Sequence, residues 1–263
     1  MIDAHVHLER GPYSRKWLAR FVAQALRTGV TELHLLEHTH RFVEFGEVYR
    51  PVREANAYQK DWYDGRTGHS LYAYLEFVQA MRREEFPVTL RFGLEVCHLP
   101  GMGRIIEDLN LHRELDFLTG AVHWLDGWGF DHRPEHWAGK DVDGVYRRYF
   151  ECVLDLVEAG SYDRIAHPDS IKCFGHSPSY DLAETYTKLA AKAARSAMKF
   201  EHNTGLHHRL NLPRLGLEPL FLQTLVAHGV DIITASDAHR PEDVGLHVAE
   251  AQAQVRRVRR PES

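Results

Sequence analysis

The sequence predicts one α/β domain of barrel type, and three observations carry that expectation. The chain has 263 residues, a length at which a single barrel-type core still forms. Short β-rich runs alternate with longer amphipathic ones, as βα units around a parallel sheet require. Residues able to bind metal recur where the β-rich runs end.

Candidate strands are Met1–His7, Glu32–Glu37, Thr89–Val96, Phe117–His123, Arg164–His167, Lys199–Asn203 and Asp231–Ser236, most of them apolar or β-branched and closing on a polar cluster. After the first, Trp17, Leu18, Phe21, Val22, Ala25 and Leu26 recur at helical spacing and stop at Gly29, a residue suited to ending a helix. Leu71, Leu75, Val78 and Met81 form a second stripe; Val145, Tyr149, Val153 and Leu156 form a third that ends at Gly160. Asp181 with Glu184 resembles a capping box before Leu189 and Ala193, and Pro241 with Glu242 and Asp243 reads as the first turn of a final helix. Residues 40–69 break the rhythm and read as a long irregular loop of the kind that forms lids.

Composition excludes several classes. Hydrophobic residues at 44% and charged residues at 26% argue against a disordered or fibrous chain. No run of about 18 apolar residues occurs, and MIDAHVH lacks the pattern of a signal peptide, so a cytoplasmic protein is expected. Cys97, Cys152 and Cys173 are widely spaced, which suggests small buried hydrophobes and neither disulfides nor a cysteine metal site. With a net charge of −5 and basic residues concentrated only in RRVRR, nucleic acid is not the favoured partner. The unusual feature is 19 histidines, whose neutral imidazoles ligate transition metals.

In parallel barrels the catalytic groups stand at the C-terminal strand ends. The first strand ends DAHVH, where a period of two places Asp3, His5 and His7 on one face. Later strands end at His38, Glu95, His123 and His167, and the last at Asp237 and His239. One such histidine alone is more often a hydrogen-bonded residue than a ligand. Together, at one barrel mouth, they would leave buried charge uncompensated without metal. Imidazoles with a few carboxylates suit zinc, iron or manganese, and Glu95 could bridge two ions about 3.5–4 Å apart that clamp a phosphoryl group. No nucleophile elbow, phosphate loop or dinucleotide fingerprint offers a rival chemistry. His40, His98, His132, His176, His202, His207 and His208 lie near strand ends or in loops and could line the rim.

The motifs HVH, EH at 37–38, GLEV at 93–96, GAVHW at 120–124, AHPD at 166–169, NT at 203–204 and SDAHRPEDVG at 236–245 resemble, in order and spacing, the polymerase-and-histidinol-phosphatase superfamily and its histidinol-phosphate phosphatases. The resemblance implies a distorted (β/α)7 TIM-like barrel over residues 1–263, holding two or three divalent ions of zinc, manganese or iron. It implies a first ion on His5, His7, Glu95 and Asp237, a second on Glu95, His123 and His167, and a third on His38 and His239. Many relatives complete the third site with a histidine shortly after HxH. Here LERGPYS has none, so either Glu9 fills the role or the third site is altered.

Asp237 and His239 are the implied catalytic residues, and Arg240, Arg209 and Lys172 the implied phosphate grip. The implied activity is hydrolysis of a small phosphomonoester, histidinol phosphate of histidine biosynthesis, by metal-activated hydroxide. Glu44, Glu47 and Glu54 could recognise a cationic amine, although solvated charge explains them equally. Three alternatives remain. A nuclease or editing domain fits the acidic balance poorly. An amidohydrolase often bridges its ions with a lysine, which ends no candidate strand here. The third is a metal-binding protein without activity.

Overall fold

The computed structural model describes residues 1–260. Strands β1 (Ile2–His7), β2 (Glu32–His38), β3 (Thr89–Cys97) and β4 (Phe117–Ala121) run parallel side by side. A short antiparallel hairpin follows, made of β5 (Trp124–Leu125) and β6 (Trp128–Gly129). The parallel sheet then continues with β7 (Arg164–Ile165), β8 (Lys199–Asn203) and β9 (Ile232–Ala235). Seven strands thus roll into a nearly closed α/β barrel, joined where the His7 N–H donates to the Ala238 carbonyl at 2.8 Å. All seven expected strands are present. The fourth, fifth and seventh are a residue or two shorter than expected, because the chain leaves the sheet there to carry ligands over the barrel mouth.

Helix α1 (Arg15–Thr28) starts where the Ser14 hydroxyl accepts the Trp17 N–H and stops at Gly29, whose φ is 75°. It buries Leu18, Phe21, Val22 and Ala25, on the order of 1.5–3 kcal/mol for each large side chain. The segment expected to be an irregular loop is largely helical, with α2 (Gly46–Glu54) and α3 (Ala57–Asp64) flanked by short 3-10 turns. Both helices are too short for a clear period, and Pro51 lies inside α2, so the apolar face of Phe42, Phe45, Tyr49, Val52 and Tyr63 is visible only once folded. Helices α4 (Leu71–Met81), α5 (Met102–Asp108), α6 (Leu111–Glu114), α7 (Val142–Glu158), α8 (Ala183–Ser196), α9 (Gly205–Leu210), α10 (Pro219–Ala227) and α11 (Val248–Arg259) complete the chain. The 241–243 turn does not open the last helix: Gly245 and His247 turn left-handed at φ 76° and 59° before α11 begins.

Asp3 is a fastener. Fully buried, it accepts the Ser236 N–H at 2.8 Å, the Ser236 hydroxyl at 2.6 Å and the Gly245 N–H at 2.8 Å, tying β1 to the SDAH and DVG segments. Gly245 has no room for a side chain, since a Cβ there would lie 2.5 Å from the Thr28 hydroxyl oxygen. The barrel floor is closed by Arg164, which stacks 3.8 Å from the Phe117 ring centroid and donates to the Ala4 carbonyl and to His34 Nδ1 at 2.7 Å. His34 therefore carries its proton on Nε2, which donates to Glu32 at 2.8 Å. Cys97 and Cys173 are buried and Cys152 half-buried, all three free. Among the described residues no helix is long and apolar enough to cross a membrane.

Candidate metal centre

Alternation along β1 sends His5 and His7 into the barrel beside Asp3, while Ala4 and Val6 face the helices. β2 delivers His38 and β3 delivers Glu95; the chain just beyond β4, β7 and β9 delivers His123, His167, and Asp237 with His239. Glu95 sits at the centre. Its Oε1 lies 2.9 Å from His123 Nε2 and 3.0 Å from His167 Nε2, and its Oε2 lies 2.9 Å from His38 Nδ1 and 3.3 Å from the Nε2 atoms of both His5 and His7. Asp237 Oδ1 approaches His5 at 3.6 Å and His7 at 3.8 Å.

Three groups have ligand atoms within 4.8 Å of one another: His5, His7 and Asp237; His38, Glu95 and His123; and His7, His38 and His239. Glu9 adjoins the third group, with Oε1 3.6 Å from His239 Nε2 and Oε2 3.2 Å from Arg41. Burial opposes ionisation of Glu9, yet His38, His7, His239 and Arg41 pull its carboxyl down to about 2.

The donor set fits divalent transition ions. His5 Nδ1 faces both oxygens of buried Glu201 at 2.9 and 3.1 Å, so Nδ1 carries the proton and Nε2 is left as a lone pair. That Nε2 lies only 2.8 Å from His7 Nε2, with both rings fully buried. Two imidazole nitrogens so close share either a proton or a metal ion. Burial and the neighbouring His38 and His239 disfavour a proton on His7, whereas at His5, against the cost of burial, Glu201, Asp237 and Glu95 favour positive charge; two imidazoles beside these carboxylates are a donor set that suits a divalent transition ion.

The supporting groups were not foreseen. Glu201 orients His5 and also accepts from Asn203 Nδ2 at 2.9 Å, while Asp131 Oδ2 lies 2.6 Å from His123 Nδ1. Glu201 could have been found, since it shares the inward face of β8 with Asn203. Asp131 lies beyond the hairpin, where no strand period points to it. His167 and Asp237 take left-handed backbone at φ 28° and 56°, a strained conformation that aims the two ligands inward.

Of the three expected basic residues, the structure brings one to the ligands. Arg209, on α9, donates to Asp237 Oδ2 at 2.9 Å and lies 3.0 Å from His239 Nδ1. It lines a cavity of about 220 Å³ together with His38, Glu95, His123, His167 and Arg10, a residue not singled out from the sequence. Lys172 instead faces Glu218 at 2.5 Å, Asp169 at 3.0 Å and the Tyr186 hydroxyl at 2.8 Å, beside a separate cavity of about 140 Å³. Two carboxylates already neutralise it. Arg240 is exposed at the start of the 241–243 turn. Proximity in sequence does not fix side-chain direction.

Glu44 caps α4 through the Leu71 N–H at 2.9 Å, Glu47 pairs with exposed Arg50, and Glu54 is exposed, so these carboxylates have roles away from the ligands. His98, His202, His207 and His208 are tied to Tyr162, Gln254 and the carbonyls of Leu212 and Ser236. His176 stacks on Trp137, whereas His40 and His132 do line a cavity beside the ligands.

No family model matches the chain. A Deinococcus radiodurans protein named probable histidinol-phosphatase is 29% identical over 205 residues, which cover 75% of this chain and 77% of the relative. Among solved structures, a candidate histidinol phosphatase from Listeria monocytogenes matches with a TM-score of 0.74 at 16% identity, covering 95% of this chain and 99% of that one. Histidinol phosphate phosphatase from Lactococcus lactis, solved with zinc, L-histidinol and phosphate, matches with a TM-score of 0.70 at 18% identity, covering 98% and 93%. The chain is thus similar in sequence to a probable histidinol-phosphatase and shares its barrel fold with two solved histidinol phosphatase structures.

Proposed function

We propose that the chain is a metal-dependent phosphomonoester hydrolase acting on histidinol phosphate. The observation that carries this reading is the convergence of three ligand groups around Glu95 in one cavity with two arginines, Arg209 and Arg10. The sequence relative and the zinc-, histidinol- and phosphate-bound neighbour support the same substrate.

His5, His7, Glu95 and Asp237 would hold one ion, Glu95, His123 and His167 a second, and His38, His239 and Glu9 a third, whether zinc, manganese or iron. Bound there, divalent ions supply the charge that activates water at neutral pH and neutralises the phosphoryl oxygens. The guanidinium groups of Arg209 and Arg10 grip the remaining phosphoryl oxygens and hold phosphorus over Glu95. Asp237, fixed by Arg209, accepts the proton of the attacking water. The departing alcohol oxygen takes its proton from solvent at the open edge of the cavity, because burial holds His239 near 4, below its ordinary 6.5, and leaves its imidazole free to serve as a ligand. Glu201 and Asp131 keep His5 and His123 in the tautomers that point Nε2 inward.

The test is phosphate release from histidinol phosphate and from phenyl phosphate by protein loaded with zinc or manganese, abolished by chelator and restored by metal. No release from either ester refutes the reading.

A further inference from the structure

The third ligand group, His7, His38 and His239, is joined by Glu9, and Glu9 lies two residues past the end of β1, in a turn. A strand aims its side chains by its pleat, whereas a ligand carried on a turn needs another group to hold it in place. Arg41 supplies that hold. Its Nη1 donates to the Glu9 carbonyl at 3.0 Å and to Glu9 Oε2 at 3.2 Å, which fixes backbone and side chain together and leaves Oε1 facing His239 Nε2 at 3.6 Å.

Arg41 is itself fixed. It ends the short 3-10 turn Thr39–Arg41 that follows β2, a turn pinned by the Thr39 hydroxyl 2.7 Å from the Tyr49 hydroxyl. Its Nε lies 3.4 Å from Oε2 of fully buried Glu37, whose Oε1 accepts the Leu8 N–H at 3.0 Å. Glu37 and Arg41 thus grip the consecutive residues Leu8 and Glu9. Nη2 donates to His69 Nε2 at 3.2 Å, and the His69 N–H donates back to the Arg41 carbonyl at 3.0 Å, so the two ends of the helical insertion close on one another at this side chain. Two effects of the guanidinium oppose each other: its charge repels an ion, and its hydrogen bonds hold the carboxylate in the orientation that binds one. Glu37 stands against the guanidinium and meets part of its charge inside the protein, while both hydrogen bonds to Glu9 remain, so orientation outweighs repulsion.

We propose that Arg41 is a positioning residue for the third ion: it holds Glu9 by the backbone and by one carboxylate oxygen, so that the other oxygen stays turned toward His239 as a ligand. The inference rests on the ligand sets of the phosphatase reading above. It makes the base of the insertion, where Arg41 meets His69, part of the metal centre.

The experiment uses the full chain as wild type, Arg41→Lys, Arg41→Met, Glu9→Gln and the double variant that combines Arg41→Met with Glu9→Gln. Each is stripped with chelator and dialysed against buffered zinc over a range of free concentrations; bound zinc is counted by plasma mass spectrometry, and circular dichroism confirms that each variant is folded. Wild type is expected to bind three zinc ions. Arg41→Met should weaken the third by about 10–100-fold and leave the other two unchanged, and Arg41→Lys, which keeps a donor and a charge, should recover part of the loss. Because Arg41 acts through Glu9, the double variant should bind zinc no more weakly than Glu9→Gln alone. A third ion bound as tightly or more tightly by Arg41→Met, losses shared equally by all three ions, losses that add in the double variant, or a wild type that holds only two ions would each overturn the role. Phosphate release from histidinol phosphate and phenyl phosphate, measured on the same samples, keeps the two readings apart. A third ion governed by Arg41 with neither ester hydrolysed supports the positioning role and overturns the phosphatase reading. Hydrolysis by an Arg41→Met protein that retains all three ions at wild-type affinity overturns the positioning role alone.

Discussion

Replacing Glu201 with glutamine isolates a residue that touches no ion yet should govern one. Both Glu201 oxygens face His5 Nδ1, and Oε2 also accepts the Asn203 amide at 2.9 Å and the His167 N–H at 3.3 Å. Glutamine can still accept from His5 through its carbonyl, but its amide then meets the Asn203 and His167 donors head-on. The charge that fixes the His5 tautomer is lost as well. Removing such an outer partner weakens metal binding by about 10–100-fold, which is about 1.4–2.8 kcal/mol. The floor should feel the change too, because Arg164 has Glu201 as its leading favourable charge and burial already disfavours its cation. Zinc affinity by competition with a chromophoric chelator, and the melting temperature of the metal-free protein, check both effects. Unchanged zinc affinity in Glu201→Gln would sink the claim that His5 is oriented from behind.

Three further outcomes are expected. Arg209→Met should raise KM for phosphate esters by about tenfold or more through loss of a charged bidentate donor, measured by steady-state kinetics, whereas Arg240→Met at the exposed turn should not. His34 is held near 4, below its ordinary 6.5, first by burial and then by Arg164. Its folded form binds fewer protons than the unfolded chain, so this contribution is complete above pH 6.5 and is lost as pH falls from 6.5 to 4. It amounts to at most about 3 kcal/mol. Thermal melts of wild type and His34→Gln across that window should converge toward pH 4, and parallel curves would refute the assignment. Gly245→Ala forces a side chain into left-handed backbone against Thr28, costing about 1–3 kcal/mol and several degrees of melting temperature. A neutral melt would show that the DVG turn can relax.

The sequence by itself determined the barrel and most of the histidines and carboxylates that gather around Glu95, for a physical reason. Strand periodicity is local, and a strand that must end in a ligand states both its direction and its inward face within a few residues, as DAHVH does. The final motif, SDAHRPEDVG, gave Asp237 and His239 in the same way. Residues 40–69 stood out in the sequence, but their helices escaped notice because α2 and α3 are short, α2 carries a proline, and their apolar face is complete only when Tyr49 and Tyr63 pack together.

What the tertiary structure alone decided was direction and partnership across distant segments. Lys172 and Arg240 lie next to ligand motifs in the chain, yet one is neutralised by Glu218 and Asp169 and the other is exposed. Arg10 and Asp131 reach the site from positions whose spacing announces nothing. Asp3 shares the inward face of His5 and His7 but meets Ser236 and Gly245 and so fastens the barrel. Such assignments depend on which groups meet after the strands close into a barrel, information that no local period contains.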